Sequence, residues 1–491
     1  IKSISCAIYN ELIKKGIFMK ISSIIMKKIF SIIIISFLTI NFNFSQLSKA
    51  KKFAKSIKEK DLKEHLTIYA SDEFEGRDTG EEGQKKAVNY LRDYYKSIKV
   101  EAGDPDKDYF QPMSLTLRAR RGKGKTVDTE NVIAIIKGSE IPEEYVIITA
   151  HLDHVGIQKD TGEVFNGADD DGSGTVALLE IAEAFKKAVK KGQGPKRSIV
   201  FLHVTGEEKG LLGSKYYTDN DPIYPLENTV VNLNVDMIGR IDPTREAKNR
   251  DYIYLIGSDH DSQDLHDLSE QTNKETLNMT LDYRFNDTDD PNRFYYRSDH
   301  YNFAKNGIPI IFYFTGTHED YHKITDTVDK IEFDLLEMRT KLIFYTAWNI
   351  ANRDARLVMD PKPEKSADSY SHSKEEIKNF EGVYASNAFP LQFKVYEKEG
   401  KLAMVPVGRS SEEAMILDEV SKNKFKMEMA GLELEFKINE TKNETKNVSE
   451  DGVNIEIDKI IEKKMLFKIG GNEIVFGLVP PPPSPEKQIE K

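Results

Sequence analysis

One cysteine, Cys6, and one tryptophan stand among 491 residues. A lone thiol cannot close an internal disulfide, so the fold must rest on an ordinary apolar core or on bound metal. Basic charge is also in short supply. Seventy Lys and Arg face 81 Asp and Glu, for a net charge of −11, which argues against general nucleic-acid binding. The apolar run from Ile29 to Ile40 is shorter than the roughly 20 residues that cross a bilayer.

That run sits in "MKKIFSIIIISFLTINFNFSQ", which begins at Met26: two lysines, an apolar centre, then small and polar residues. This order reads as a secretory signal peptide cleaved near Ser45, with residues 1–25 upstream of it. The protein is therefore expected to be secreted or periplasmic, without stable membrane insertion once the leader is gone. Removing residues 1–45 takes six Lys, one Glu and the cysteine with it, so −11 becomes −16.

The whole chain is 39% hydrophobic and 31% charged, as expected of soluble globular domains, and it is long enough for two of them. Residues 61–100 read as helical, with "QKKAVNYLRDYYKSI" the clearest amphipathic stretch, and residues 101–130 read as loop. From there strand and helix patterns alternate. "NVIAIIKG", "YVIITAHLDH", "RSIVFLHVTGEE", "VVNLNVDMIG", "DYIYLIGS" and "IPIIFYFTG" read as strands. Residues 173–192, 211–220 and 333–356 read as helices. The alternation predicts an α/β fold: a mostly parallel mixed sheet flanked by helices on both faces. "MDPKPEKSADSYSHSKEE", 359–376, reads as a linker. Short alternating runs over 377–480 predict a small all-β domain, and "PPPPSPEKQIEK" a disordered tail over 481–491. The expected division is thus 1–45, 46–358, 359–376, 377–480 and 481–491.

In open sheets of this kind ligands bind beyond the carboxyl ends of the strands. The unusual polar residues fall there. "HLD" carries His151 and Asp153 on one face of a strand end, where a carboxylate beside a metal-bound imidazole would fix its orientation, or simply hydrogen-bond to it. "NGADDDGSG" puts Asp169, Asp170 and Asp171 at the start of a helix; a helix dipole accommodates one such charge, but three call for a cation. "TGEE" pairs Glu207 with Glu208, so that one could bind metal and the other move protons; an exposed turn is the plainer alternative. "NVD" ends on Asp236, and "YHKITDT" supplies His322. Imidazole and carboxylate without thiolate suit Zn²⁺, with Co²⁺ or Mn²⁺ possible, and there are too many donors for one tetrahedral ion. Two ions sharing a bridging carboxylate fit the count.

"HLDH", "NGADDDGSG", "TGEEKGLLGS", "NVDMIGR" and "YHKITDT", in this order, resemble metallopeptidase family 28, the dizinc aminopeptidase family. "DEFEGRDTGEEGQKKAVNYL", 72–91, and "RSDHYNFAKNGIPIIFYF", 297–314, look like further family segments, and the resemblance covers about residues 60–355. It implies that His151 and Asp236 bind one zinc, Glu208 and His322 the other, and that Asp170, the first Asp of "DDGSG", bridges them. It further implies a cis peptide between Asp170 and Asp171, Asp153 orienting His151, and Glu207 as general base. The activity implied is removal of N-terminal residues from peptide substrates. The alternatives are a glutaminyl cyclase with one zinc, a carboxypeptidase-type relative, or a non-catalytic binding protein on the same scaffold. The β domain shows no ligand cluster, and neither its role nor the oligomeric state is written in the sequence.

Overall fold

The computed structural model describes residues 46–117, 124–246, 248–361, 371–409, 411, 414–427, 431–441, 460–469 and 472–479. The expected leader, the terminal tail and half of the expected linker lie outside them. No helix among the described residues is long and apolar enough to cross a membrane. The chain parts into two compact units between Asp360 and Pro361.

The first unit is built on a nine-stranded mixed sheet: β1 (Glu101–Ala102), β2 (Phe110–Leu117), β3 (Lys125–Ile136), β4 (Ile141–His151), β5 (Arg197–Val204), β6 (Thr229–Val235), β7 (Tyr252–Ile256), β8 (Thr280–Asp282) and β9 (Ile310–Phe314). They lie in the order β1-β3-β5-β4-β6-β9-β7-β8, with β2 paired to β3. The centre, β5-β4-β6-β9, is parallel, while β3 and β7 join it antiparallel. Strand alternation sends neighbouring side chains to opposite cores. Val146, Ile148 and Ala150 pack with helices Gly174–Lys190 and Phe333–Asn352, and Ile147 packs with Tyr217 and Phe303 on the other face.

Two expectations need correction. The helical stretch 61–100 is two helices, Glu59–Tyr69 and Glu82–Ile98, divided by a 3-10 segment, Asp72–Arg77. Residues 101–130, read as loop, hold β1, β2 and the first half of β3. β2 is half exposed and alternating, with buried Met113 and Leu115 between polar neighbours, so it lacks the continuous apolar run of a central strand. The sequence reading also passed over the helix Gln263–Thr276, which is capped by the Ser262 hydroxyl accepting from the Leu265 N–H.

The second unit is a closed antiparallel barrel. Its strands are β10 (Gly382–Ser386), β11 (Phe389–Lys398), β12 (Lys401–Pro406), β13 (Met415–Ser421), β14 (Lys424–Met427), β15 (Leu432–Thr441), β16 (Ile460–Ile469) and β17 (Asn472–Leu478). The closing pair joins β10 to β17, Tyr384 opposite Leu478. Phe393, Phe425, Phe436 and Phe476 are among the side chains that fill it.

Candidate metal centre

The carboxyl ends of the four parallel strands converge as the topology demands. β4 delivers His151 and then Asp153 and His154; β5 runs into Glu207 and Glu208; β6 ends before Asp236; the loop after β9 carries His318 and His322. Between β4 and the helix Gly174–Lys190 lies the triple Asp turn, with a cis peptide joining Asp170 to Asp171.

The three aspartates do not share one task. Asp171 accepts backbone N–H groups from His151 at 3.1 Å, Gly174 at 2.9 Å and Met237 at 3.2 Å. Asp169 accepts from the Gly239 N–H at 2.6 Å and pairs with His318 Nε2 at 3.2 Å. Both are braces that tie the turn to neighbouring strand ends. Of the three, only Asp170 faces His151 and His322: its Oδ1 is 3.0 Å from His151 Nε2 and its Oδ2 is 3.1 Å from His322 Nε2. Asp326, which the sequence reading did not single out, takes the backbone N–H groups of both Asp169 and Asp170 on its carboxylate.

Two donor sets meet at Asp170. On one side His151 Nε2 lies 3.6 Å from Asp236 Oδ1, and Asp236 Oδ2 accepts from Ser298 Oγ at 2.7 Å. On the other, Glu208 Oε2 is 3.0 Å from His322 Nε2, and Glu208 Oε1 is 2.9 Å from His154 Nδ1. Donor atoms of His151, Asp170 and Asp236 lie within 4.8 Å of one another, and so do those of His154, Asp170 and Glu208. Ligands at ~2.0–2.2 Å around a tetrahedral ion lie about 3.3 Å apart, so these separations fit zinc. The chemistry of the atoms fits as well. His151 Nε2, His154 Nδ1, Asp170 Oδ2 and Glu208 Oε1 are buried and make no hydrogen bond. Orphaned lone pairs gathered in one place cost several kcal/mol unless a cation takes them.

The local charge balance says the same. Asp153, Asp169, Asp170, Asp171, Asp236, Asp299 and Asp326 are all buried here. Burial pushes Asp171 and Glu207 well up, Asp299 up to about 7 and Asp326 up to about 6. Burial opposes charge on Asp170 too, but His151 and His322 outweigh it and hold that carboxyl well below the usual range. His322, which burial alone would push down, is raised to about 10 by Asp170 and Glu208.

The expected residues His151, Asp170, Glu208, Asp236 and His322 thus stand together. Glu207 stands beside them, its N–H donating to Asp153 Oδ1 at 3.1 Å. Asp153 meets His151 through its backbone carbonyl, 3.0 Å from Nδ1, while its carboxylate is 4.0 Å from that nitrogen and accepts from Thr79 Oγ1 at 2.7 Å. His154 was in plain view in "HLDH" but was not singled out. The segment 72–91 contributes Arg77, a buried guanidinium that donates to the carbonyls of Tyr69, Leu152, Asn166 and Gly167. It clamps the strand exit to the loop that enters the Asp turn. Beyond Asp170, Glu207 and Asp236 the site opens onto a recess walled by Met237, Phe294, Phe312, Phe314 and Tyr321, with Arg297 on its rim.

Among known proteins, residues 131–347 match the model of peptidase family M28. A probable glutamate carboxypeptidase of Arabidopsis thaliana is 37% identical over 115 residues, 23% of this chain and 16% of that protein. A probable aminopeptidase of Saccharomyces cerevisiae is 29% identical over 221 residues, 43% of this chain and 55% of that one. A solved zinc aminopeptidase from Bacillus subtilis is 16% identical, matching 61% of this chain and 97% of its own, with a TM-score of 0.48. The chain spans about half the length, or less, of the curated relatives it matches.

Proposed function

Residues 131–347 belong to peptidase family M28, and from that membership we propose that the chain is a secreted, zinc-dependent aminopeptidase. The observation that carries the reading is the pair of donor sets sharing Asp170, with Glu207 at their edge. His151, Asp170 and Asp236 would hold one zinc; Asp170, Glu208 and His322 would hold the second. Bound there, the pair supplies a water of lowered pKa and a Lewis acid at the scissile carbonyl.

The protein's own groups do the rest. Glu207, whose carboxyl burial pushes well above its ordinary range, takes a proton from the attacking water and delivers it to the leaving amine. Its position is held by the Asp153 carboxylate on its N–H. The excess of carboxylate around the site attracts the ammonium group of a peptide N-terminus. The small recess beside Asp236, walled by Phe294, Phe312, Phe314 and Tyr321, is where the first side chain of a substrate would lie. The leader read from Met26 supports export, and N-terminal sequencing of the exported protein would locate the cut.

The test is a panel of aminoacyl p-nitroanilides assayed with and without a chelator. Activity on free-amino substrates that is lost with chelator and restored by zinc is expected; turnover indifferent to chelator overturns the reading. A carboxypeptidase-type activity is the second reading, favoured by one observation: Arg297 puts a guanidinium on the rim of the recess, where a substrate carboxylate could sit. N-acetylated peptides with a free carboxylate would then be cleaved in preference to the anilides.

A further inference from the structure

The two halves of the metal centre are not equivalent, and His154 makes the difference. Its imidazole is fully buried. Neither ring nitrogen has a hydrogen-bond partner. Nδ1 nevertheless lies 2.9 Å from Glu208 Oε1 and 3.7 Å from Asp170 Oδ2. An N–H aimed at Glu208 over 2.9 Å would make a charge-assisted bond. Here neither Nδ1 nor Oε1 meets hydrogen-bond geometry at that distance, which is what two donors to one cation would show. The ring of His322, whose Nε2 approaches the same two carboxylates, is 5.8 Å away, edge to face.

The backbone is shaped to seat this ring. Gly167 has φ +56, and a Cβ there would lie 2.6 Å from His154 Cγ and Cδ2. The His154 N–H donates to the Arg77 carbonyl at 3.2 Å, which fixes the residue to the clamped loop. A buried imidazole that served only packing would not need both nitrogens stripped of partners.

We propose that His154 is a fourth protein ligand of the second zinc. That ion would take Asp170, Glu208, His322 and His154, while its neighbour takes His151, Asp170 and Asp236 and keeps an open position for water and substrate. This rests on the two-zinc reading above. It would give the two ions unequal protein ligation, four donors at the second and three at the first.

The experiment measures stepwise zinc affinity of the whole chain by competition with a chromogenic chelator, and counts imidazoles by zinc X-ray absorption. Wild type is compared with His154→Ala and His154→Gln, and apo-protein melting with chelator present checks that each variant folds. Wild type is expected to bind two zincs with three imidazoles between them. Both variants should then show two imidazoles per two ions, with one binding step weakened more than about a hundredfold, beyond the roughly 10–100-fold that loss of an outer hydrogen-bond partner causes. Two zincs in the variants with unchanged affinity and imidazole count overturn the role of His154 and leave the two-zinc reading intact. A wild type that binds fewer than two zincs overturns the two-zinc reading itself. Should one variant fail to melt cooperatively as apo-protein, the other decides.

Discussion

The interiors of the two units differ in kind. At the carboxyl end of the sheet the first unit buries seven aspartates, with two glutamates beside them and imidazole partners for only some. The barrel fills its inside with Phe393, Phe425, Phe436, Phe467, Phe476 and aliphatic neighbours, and no His, Asp or Glu donor triplet is found there among the described residues. Apolar filling stabilises by removing area from water and needs no further explanation. Buried charge destabilises, so it persists where something else is gained. The contrast is the reason the proposed chemistry is sought in the first unit.

The sharpest way to break this contrast is to change one atom in the first unit and many in the second. Glu207→Gln replaces a single oxygen. Turnover of an aminoacyl p-nitroanilide should fall about 10²–10⁴-fold, the range of a lost general base, with zinc content by elemental analysis unchanged. Retained turnover would remove Glu207 from the mechanism. Phe476→Ala deletes a whole ring from the barrel core and should lower the stability of that unit by about 3–5 kcal/mol, read as an earlier denaturant transition. Hydrolysis at temperatures where the first unit is folded should not change; a parallel loss of activity would mean that the barrel takes part in catalysis.

The smallest effect lies inside the first unit, away from the proposed metal centre. Glu180 is buried, 3.8 Å from His65, and burial pushes its carboxyl up to about 8. The folded chain therefore keeps a proton there that the unfolded chain releases above its ordinary value near 4.5. Stability should decline as pH rises from about 4.5 to 8, because the folded state binds more protons over that window. Glu180→Gln removes the titration, so the melting-temperature gap between variant and wild type should widen in the variant's favour from pH 5 to pH 8. An unchanging gap would show that Glu180 is solvated.

The polar cluster at the carboxyl end of the sheet was largely legible from the sequence, because a parallel sheet sends every carboxyl end to the same edge and the polar residues after each apolar run had nowhere else to gather. His151, Asp170, Glu208, Asp236 and His322 were found in this way. What escaped depends on loop direction. His154 follows His151 by three positions off the end of a strand, and no periodicity says where such a side chain points. Asp169 and Asp171 could be seen as charges, but that they spend their oxygens on backbone N–H groups follows from the turn. Asp326 and Ser298 support the site from segments that have no special composition. β2 was missed because an exposed edge strand alternates weakly, and the closure of the barrel because the pairing of β10 with β17 joins residues nearly a hundred positions apart.

Arg77 sets a boundary that sequence matching does not see. Its guanidinium grips four carbonyls around the entrance to the Asp turn, yet it lies more than fifty residues upstream of the stretch that matches the family. A fragment trimmed to the matched residues would carry every proposed ligand and still lack the clasp that keeps their two loops together. The smallest self-sufficient piece of this protein therefore begins well before the stretch that the family model matches.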